Sequence, residues 1–307
     1  MKVLILNHTH KKCGVYQMGK RVYEIASLSK DVDYVYREVN SLAEYRTAVG
    51  ENVPDGILYN WHWDRWPWLG EFEIACRKPI LHYFIYHDGS VFPKYDKYLF
   101  FGGLDPNKKA VPESKRILLP RPLFEYKGKY PKNKLPTIGS FGFAFIHKRF
   151  PELVRLVNQN YDEAVINLHM TTPFFGDTPG NRTSDIVEEC KRANTKKGIT
   201  LNIDTKFRND EETLQMLARN DINIFVYNDN NFNPGLSSAM DYALSVKRPI
   251  ALSNYIMFRH VTTPQIVVPN NSISDIIKLG TKPVEHFYSE WSRETLSKKL
   301  DDAFEGR

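Results

Sequence analysis

The 307-residue chain has few cysteines and no long hydrophobic segment. Its three cysteines, Cys13, Cys76 and Cys190, lie far apart and have no CxxC spacing. An odd, scattered set argues against a disulfide framework and structural zinc, and it predicts a reducing, cytoplasmic compartment. No apolar run approaches the roughly 20 residues that cross a bilayer, and the amino terminus becomes polar too early for a signal peptide. We therefore expect a cytoplasmic protein without a membrane span.

The chain also lacks a concentrated patch of basic residues. Its 42 Lys and Arg against 36 Asp and Glu give a net charge of +6, and the basic residues form only modest groups. A nucleic-acid binder would more often carry a clustered basic stripe, whereas a mild excess suits a protein that handles phosphorylated ligands. Apolar residues, in contrast, are plentiful: a content of 42% hydrophobic and 13% aromatic residues is ample for packed cores.

Short apolar runs alternate with helical patterns along the whole chain. The predicted strands are residues 2–7, 32–39, 56–60, 79–86, 97–101, 116–119, 137–141, 164–169, 199–205, 222–227, 249–253 and 266–268. The predicted helices are residues 15–28, 42–49, 150–158, 185–194, 210–219, 274–279 and 292–304, with a further helix opened by residues 234–238. Repeated βα units of this kind predict doubly wound parallel sheets.

A stretch dense in Pro, Lys and Tyr, residues 120–136, interrupts this alternation and is predicted to be a linker. It divides an amino-terminal domain, residues 1–130, from a carboxy-terminal domain, residues 131–290. Ligands of doubly wound sheets bind beyond the carboxyl ends of the strands. We therefore expect the site in the cleft between the two domains.

The segment from Asp221 to Asn254 is the most informative part of the chain. A buried strand, a polar loop, a helix opened by residues 234–238 and a second strand make a βαβ unit. The start of such a helix presents free N–H groups and a partial positive charge, and here Ser237 and Ser238 add hydroxyls. These features predict a site for a phosphate or another anion.

The order of these parts resembles the donor-binding segment of the retaining GT-B glycosyltransferases of the GT4-like group. The resemblance implies an α/β protein with two Rossmann-like, doubly wound domains. It places Gly235, Ser237, Ser238 and Asp241 against a nucleotide-sugar donor, with Asp241 matching the acidic residue of the family's helix. Asn233 stands where the family carries its other carboxylate. Alternatively, Asp241 is an early-helix acid favoured by the helix dipole.

Residues 139–153 resemble the first strand, loop and helix of the family's donor domain. Lys148 matches the lysine that neutralises the diphosphate of the donor, whereas Phe143 occupies the position of the family's arginine. By this resemblance, Arg149 or Arg208 would supply the missing charge. The alternative is that Lys148 and Arg149 only solvate the start of a helix.

The first predicted strand is followed by a loop that ends in Cys13-Gly14. The family places a glycine here so that backbone N–H groups can approach the transferred sugar and its phosphate, and Gly14 fits this role because a side chain would block the approach. His8 and His10 invite a metal hypothesis, but no third ligand lies nearby in the sequence. The resemblance implies no catalytic metal and no cofactor, since the nucleotide-sugar is a co-substrate.

His87 and Asp88 follow the apolar run at residues 79–86, at the expected carboxyl end of a strand. A histidine can take a proton from an acceptor hydroxyl near neutral pH, and a neighbouring carboxylate can orient it. Two adjacent side chains do not readily face one atom, so we expect one of the two to be catalytic, with Asp88 slightly favoured. The alternative is that Asp88 and Gly89 form a turn.

Four tryptophans lie within the eight residues from Trp61 to Trp68. Their rings suit stacking on sugars or nucleobases, which is worth about 1–3 kcal/mol per base, and Asp64 and Arg65 could orient hydroxyls or phosphates. We therefore place Trp61, Trp63, Asp64 and Arg65 at a candidate acceptor site. The alternative is that the tryptophans belong to a core or an interface.

The resemblance to the GT-B family implies a glycosyltransferase that moves a sugar from a nucleotide-sugar to an acceptor hydroxyl, with retention of configuration. The acceptor is expected to be a saccharide or, as in viral base-glucosylating enzymes of the same fold, DNA, whose binding would depend steeply on salt. The fold also implies that the last helix, residues 291–307, packs back on the first domain. Two alternatives stay open: a non-catalytic nucleotide-sugar or glycan-binding protein, and an epimerase acting on a nucleotide-sugar alone.

Overall fold

The computed structural model of the chain describes residues 1–70, 73–74, 80–87, 96–103, 111–173, 177, 179–228 and 235–306. The chain forms two compact units. The first comprises Met1–Leu123, Pro234–Leu236 and Ser289–Arg307, and the second Phe124–Asn233 and Ser237–Tyr288. None of the helices within the described ranges is long and apolar enough to cross a membrane.

The helices are α1 (Gly14–Ala26), α2 (Leu42–Asn52), α3 (Phe150–Asn160), α4 (Asn181–Ala193), α5 (Asp210–Ala218), α6 (Ala239–Ser245), α7 (Ile273–Leu279), α8 (His286–Glu290) and α9 (Arg293–Glu305). Short 3-10 turns lie between several of them, and the one at Ile146–Lys148 matters for the site below. The longer helices α1 and α3 are amphipathic, so each covers a sheet face with its apolar side.

The first unit contains a parallel sheet of six described strands. These are β1 (Lys2–Asn7), β2 (Asp33–Glu38), β3 (Gly56–Tyr59), β4 (Leu81–Ile85), β5 (Lys97–Phe101) and β6 (Arg116–Leu119). Their order is β2-β1-β3-β4-β5-β6. The chain moves outward from β1 to β2 and then returns to place β3 on the other side of β1. The order therefore reverses between β1 and β3, which makes their carboxyl ends the switch point where ligands of such sheets bind.

Both faces of this sheet are covered, because successive residues of a strand point to opposite sides. Val3 and Ile5 of β1 belong to a core shared with α1 and α9. Leu4 and Leu6 belong to the core on the other face, which includes α2 and several aromatic rings. The nearly continuous apolar character of β1 is therefore that of a buried parallel strand.

The carboxy-terminal helix α9 is part of the first unit. It packs beside α1, and its Leu296 and Leu300 are fully buried. The hydroxyl of Tyr83 donates to the carbonyl of Ala303 (3.0 Å), and the hydroxyl of Ser29 donates to Asp301 (2.8 Å). These contacts hold the end of the chain against the first sheet.

The second unit contains a parallel sheet of five described strands. These are β7 (Thr137–Phe143), β8 (Ala164–Thr171), β9 (Ile199–Asp204), β10 (Ile222–Phe225) and β11 (Ile250–Leu252). Their order is β11-β10-β7-β8-β9. The chain runs outward from β7 through β9 and then crosses to β10, so the switch point of this sheet lies at the carboxyl ends of β7 and β10.

Most predicted elements agree with the structure within a few residues, and the differences have local causes. Helix α4 begins four residues before its predicted start, because Asp177 accepts the N–H groups of Arg182 and Thr183 (3.1 and 2.8 Å) and so stabilises an earlier first turn. The predicted strand at residues 266–268 is wrong. That segment follows a 3-10 turn and pairs with β11 only through a bridge from Val267 to Leu252.

Candidate functional site

At the switch point of the second sheet, Lys148 and Tyr227 meet over Gly142. Gly142, near the end of β7, has a φ of +149°, a conformation that residues with a side chain rarely adopt. A Cβ at this position would lie 3.6 Å from Cε of Lys148 and 3.8 Å from the hydroxyl of Tyr227. The second glycine of the GSFGF sequence therefore allows a backbone conformation next to which a lysine and a tyrosine converge.

Lys148 ends the 3-10 turn that follows β7, and its side chain is partly buried. Its Nζ lies 3.8 Å from the centroid of the Tyr227 ring, within the range of a cation–π contact. The N–H of Asn228 donates to the carbonyl of His147 (2.9 Å), which ties the exit of β10 to this turn. Across the described ranges, Nζ of Lys148 has neither a carboxylate partner nor a hydrogen-bond acceptor.

The charge state of Lys148 is unusual because its ammonium is desolvated. Burial lowers the pKa of Lys148 from 10.5 to about 7. An anion placed beside Nζ would favour the protonated form and would itself be stabilised by it. The switch point of the second sheet is therefore suited to a negatively charged group such as a phosphate.

One of the residues expected at the start of the donor helix, Ser237, lies close to the same tyrosine. Helix α6 begins at Ala239 and has seven residues, so Ser237 and Ser238 precede it. The hydroxyl of Ser237 donates to that of Tyr227 (3.5 Å), but the N–H of Ser237 donates to the carbonyl of Met257 (3.1 Å) and is already satisfied. The structure thus brings Ser237, Tyr227 and Lys148 together, while the N–H of Ser237 is engaged within the protein.

The other donor candidates in and before α6 differ in accessibility. Asp241, in the first turn of α6, is fully buried, so no part of its side chain is open to solvent. Gly235 and Ser238 are half-buried. Burial raises the pKa of Tyr227 well above its ordinary value, so this hydroxyl stays protonated near neutral pH. Any ligand at this edge meets a neutral phenol and an ammonium that titrates near neutrality.

Arg149 and Arg208 are paired with carboxylates of their own unit. Arg149 lies 2.8 Å from Glu152, one turn along α3. Arg208 lies 2.6 Å from Asp204 at the end of β9. Burial acts to raise the pKa of Asp204, but hydrogen bonds from the Lys206 N–H and from Arg208 outweigh it and hold that pKa below its usual value. Both arginines therefore have anionic partners that Lys148 lacks.

At the switch point of the first sheet, Gly14 starts α1 and is exposed. A Cβ at Gly14 would meet nothing within 4 Å, so open space adjoins this helix start. His8, directly after β1, is fully buried, and its Nδ1 accepts the N–H of His10 (3.0 Å). Burial, followed by the charges of Arg65, His10 and His62, lowers the pKa of His8 to about 4, so His8 is neutral near pH 7.

The two histidines do not form a metal centre with other described residues. Where the structure describes the chain, no group of three or more His, Cys, Asp or Glu side chains could hold a metal ion. The Nε2 of His8 is buried without a hydrogen-bond partner in the same part of the chain.

His87 lies two residues beyond β4, next to the switch point of the first sheet. Its Nε2 is 2.8 Å from the amide oxygen of Asn60, the residue that follows β3. Asp88 lies outside the described residues. The same holds for the other singled-out residues Cys76, Pro79, Gly89, Asn233 and Pro234.

The tryptophan cluster is divided between the core and the surface. Trp61 and Trp66 are only 8% and 1% exposed and belong to the core beside α2, and Nε1 of Trp66 donates to the carbonyl of Val39 (3.1 Å). Trp68 packs partly buried against the same core. Trp63, in contrast, is 58% exposed and stacks on the ring of His62. Of the two tryptophans proposed for the acceptor, Trp61 is therefore a core residue and Trp63 offers an open ring.

Asp64 and Arg65 lie next to this exposed ring and form an ion pair with each other (3.2 Å). The side chain of Asp64 is half exposed, whereas that of Arg65 is largely covered. The positive charge of Arg65, in the loop after β3, also acts on the two histidines in the loop after β1, His8 and His10.

No protein-family model and no curated protein sequence matches this chain. Solved structures do match it over nearly its whole length. HepE of Anabaena, in complex with UDP and glucose, has a TM-score of 0.68 at 11% identity, with 100% of both chains covered. Sucrose-phosphate synthase of Thermosynechococcus elongatus has a TM-score of 0.71 at 12% identity, covering 100% of this chain and 98% of its own. A glycosyltransferase of Rickettsia africae has a TM-score of 0.70 at 10% identity, covering 99% and 98%.

These comparisons define the class of the fold. The chain has the GT-B fold of glycosyltransferases, with parallel sheets of six and five described strands, and the predicted fold class is confirmed. At identities of 10–12% the likeness concerns the fold, and activity has to be argued from the site.

Two residues that shape the site were missed by sequence reasoning. The sequence predicts Tyr227 and Asn60 only as the last residues of the strands at 222–227 and 56–60. Both lie one or two residues beyond the carboxyl end of a strand that flanks a switch point. The strand ends can be predicted from the sequence. The strand order, which places these two ends beside a switch point, cannot.

Proposed function

We propose that the protein transfers a glycosyl group from a nucleoside diphosphate sugar to an acceptor hydroxyl. The observation that carries this proposal is Lys148, an ammonium without an anionic partner in the described residues, at the switch point of the second sheet. In doubly wound sheets ligands bind at this position, and a phosphate there would meet the Lys148 charge. The GT-B fold supports the assignment, since the structures named above include a glycosyltransferase and a protein solved with UDP and glucose.

The proposed chemistry breaks the bond between the anomeric carbon and a phosphate oxygen. Negative charge then develops on the leaving diphosphate, where Lys148 would stabilise it, with Ser237 and Ser238 of the same unit as further donor residues. Gly14 and Gly235 are included as donor residues by the family resemblance. Charges already in position for a developing anion usually provide the largest part of the rate enhancement. Asp241 is included as a donor residue, and we propose retention of configuration.

The acceptor would bind in the first unit. Its hydroxyl loses a proton as it attacks, and His87 or Asp88 would receive it. Trp63 offers an exposed ring for a saccharide face, and Asp64 and Arg65 are close to it in the chain. We propose a saccharide acceptor, and the turnover experiment below includes duplex DNA as the alternative acceptor.

Thermal stabilisation by UDP-, GDP-, ADP- and CMP-sugars tests the donor. UDP-sugars come first, because HepE was solved with UDP and glucose. Lys148→Met should abolish the shift given by the best donor, whereas Arg149→Met should keep it, because Arg149 is paired with Glu152. No shift with any donor in the folded protein, or an equal loss in both variants, would contradict the proposal.

Turnover of that donor is then followed with saccharide acceptors, with duplex DNA, with neither, and with a chelator added. Acceptor-dependent nucleotide release that survives the chelator is the expected result. Release without any acceptor would favour an epimerase or a hydrolase. Binding without turnover would favour a non-catalytic nucleotide-sugar-binding protein.

A further inference from the structure

Asn60, which is fully buried, and His87, which is partly buried, belong to one polar network at the switch point of the first sheet. We infer that Asn60 is a positioning residue that fixes the tautomer of His87, and that Gly19 is glycine because the Asn60 amide occupies the space of its side chain. The catalytic consequence rests on the proposed function. The tautomer itself is a property of the protein alone and can be measured without activity.

The orientation of the Asn60 amide follows from its partners. Its Nδ2 donates to the carbonyl of Val15 (2.6 Å) and to the amide oxygen of Asn7 (2.7 Å). That oxygen of Asn7 also accepts the backbone N–H of His8 (2.9 Å). A carbonyl can only accept and a backbone N–H can only donate, so both ends of the chain of bonds are fixed. Neither amide can therefore be turned over without losing hydrogen bonds in a fully buried place.

The proton position on His87 follows from this orientation. With Nδ2 of Asn60 directed at Val15 and Asn7, its Oδ1 faces Nε2 of His87 at 2.8 Å. An amide oxygen has no proton to give, so Nε2 of His87 must carry the hydrogen. In the neutral imidazole the lone pair then lies on Nδ1. This is the nitrogen that can take up a proton.

The contact of the Asn60 amide with α1 also accounts for the glycine at position 19. It lies inside α1, where glycine is less favourable than alanine. A Cβ at Gly19 would lie 2.3 Å from Nδ2, 2.5 Å from Cγ and 2.8 Å from Cβ of Asn60. The missing side chain also leaves the carbonyl of Val15, one turn earlier, open to the amide. The helix therefore gives up local stability to admit Asn60.

The network places a proton acceptor at the ligand-binding edge of the sheet. Asn7 ends β1, Asn60 follows β3, and His87 follows β4 by two residues. In the proposed transfer with retention, the acceptor oxygen bonds to the anomeric carbon on the face from which the diphosphate leaves with its bonding electrons, and the hydroxyl proton moves to Nδ1 of His87. The imidazolium that forms keeps its Nε2–H bond to Asn60, which stabilises the charge.

Nitrogen-15 NMR of histidine-labelled protein tests the tautomer, with the signals of His87 assigned by their loss in His87→Gln. We expect the Nε2–H form in the wild type near neutral pH. Gly19→Ala should displace Asn60, mix the tautomers and lower kcat at least about 10-fold, since a wrong tautomer costs up to about 10⁴ in a catalytic triad. KM for the donor should stay within about 2-fold. Gly50→Ala is the matched control, because Gly50 is in α2 and its Cβ would meet nothing within 4 Å.

Asn60→Ser provides a second variant if Gly19→Ala does not fold, because it removes the acceptor without adding bulk. It should mix the tautomers in the same way. An Nδ1–H tautomer in the wild type, or an unchanged tautomer in both variants, would overturn the inference. If the protein proves to have no transferase activity, the NMR result still decides the inference about Asn60, so failure of the function and failure of the tautomer are distinguishable.

Discussion

Binding of a nucleoside diphosphate should weaken as the pH rises above about 7, because Lys148 has to take up a proton when it meets the phosphates. Burial lowers the pKa of Lys148 to about 7 in the ligand-free protein, from an ordinary value of 10.5. An adjacent anion favours the charged form and raises this pKa again. Above pH 7 binding of the ligand therefore requires uptake of a proton. Because the proton concentration falls as the pH rises, the affinity falls with it.

The magnitude follows from the two pKa values of Lys148. If the ligand restores the ordinary pKa of 10.5 from about 7, linkage predicts that the affinity falls about 50-fold between pH 7 and pH 9. This is an upper limit, since partial restoration gives a smaller change. The terminal phosphate of the nucleotide, with a second pKa of about 6, is already mostly ionised at pH 7 and adds little.

Isothermal titration calorimetry measures the proton directly. Titrations at one pH in buffers of different ionisation enthalpy give the number of protons bound with the ligand, using the nucleotide selected by the thermal-shift panel. We expect uptake of about half a proton at pH 7 and about 0.9 proton at pH 8. Binding that takes up no proton at pH 8 would refute the reasoning.

Two variants of Lys148 show whether the pH dependence of binding comes from titration of its ammonium. Lys148→Arg keeps a positive charge that does not titrate in this range, so its binding should be independent of pH between 7 and 9. Lys148→Met removes the charge and should bind weakly at every pH, also without proton uptake. A pH dependence that persists in Lys148→Arg would assign the titration to another group.

The ligand-free protein should show the matching effect on stability. In the unfolded chain Lys148 titrates near 10.5, so between pH 7 and 10.5 the unfolded state binds more protons than the folded state. The contribution of this residue to the free energy of unfolding should therefore rise with pH, by about 2 kcal/mol from pH 7 to 9. Urea denaturation at both pH values, compared with Lys148→Met, measures this change.

The remaining predictions concern packing and acid stability. A Cβ at Gly139 would lie 1.7 Å from Nδ2 of Asn220, so Gly139→Ala should lower the free energy of unfolding by about 1–3 kcal/mol in urea denaturation. Trp66→Ala should lower the free energy of unfolding by about 3–5 kcal/mol. Trp63→Ala should change it by less than about 0.5 kcal/mol and should weaken saccharide binding in calorimetry. The reverse pattern would contradict the assignment of Trp66 to the core and Trp63 to the surface. Burial acts to raise the pKa of Asp177, but hydrogen bonds from the first turn of α4 hold it below 3.8. The stabilisation from Asp177 is therefore present above pH 3.8 and lost as the pH falls through the lowered pKa, a loss that denaturation of Asp177→Asn should not show.

Much of the fold could be predicted from the sequence because its determinants are local. The apolar run of β1 is short and nearly continuous, as expected of a strand buried on both faces. Helix α1 shows the 3.6-residue periodicity of an amphipathic helix. The alternation of such segments is enough to indicate doubly wound sheets. Lys148 is singled out by the resemblance of residues 139–153 to the first strand, loop and helix of the family's donor domain.

The roles of individual side chains depended on contacts between distant segments. The sequence places Trp61 and Trp63 in one cluster, but only the packing against α2 decides that Trp61 is buried while Trp63 is exposed. Loops have no periodicity that would indicate which residue faces the core, so these outcomes cannot be read from spacing.

The ends of the strands can be located from the local apolar pattern, and with them the residues that could lie at a ligand-binding edge. Which of those ends are neighbours depends on the folded sheets. The order of the strands makes β1 adjacent to β3 and β7 adjacent to β10. Through that order Asn60 reaches Asn7, and Lys148 meets Tyr227. The physical reason is that strand order is set by non-local hydrogen bonding and packing of whole sheets, which no short segment of the chain encodes.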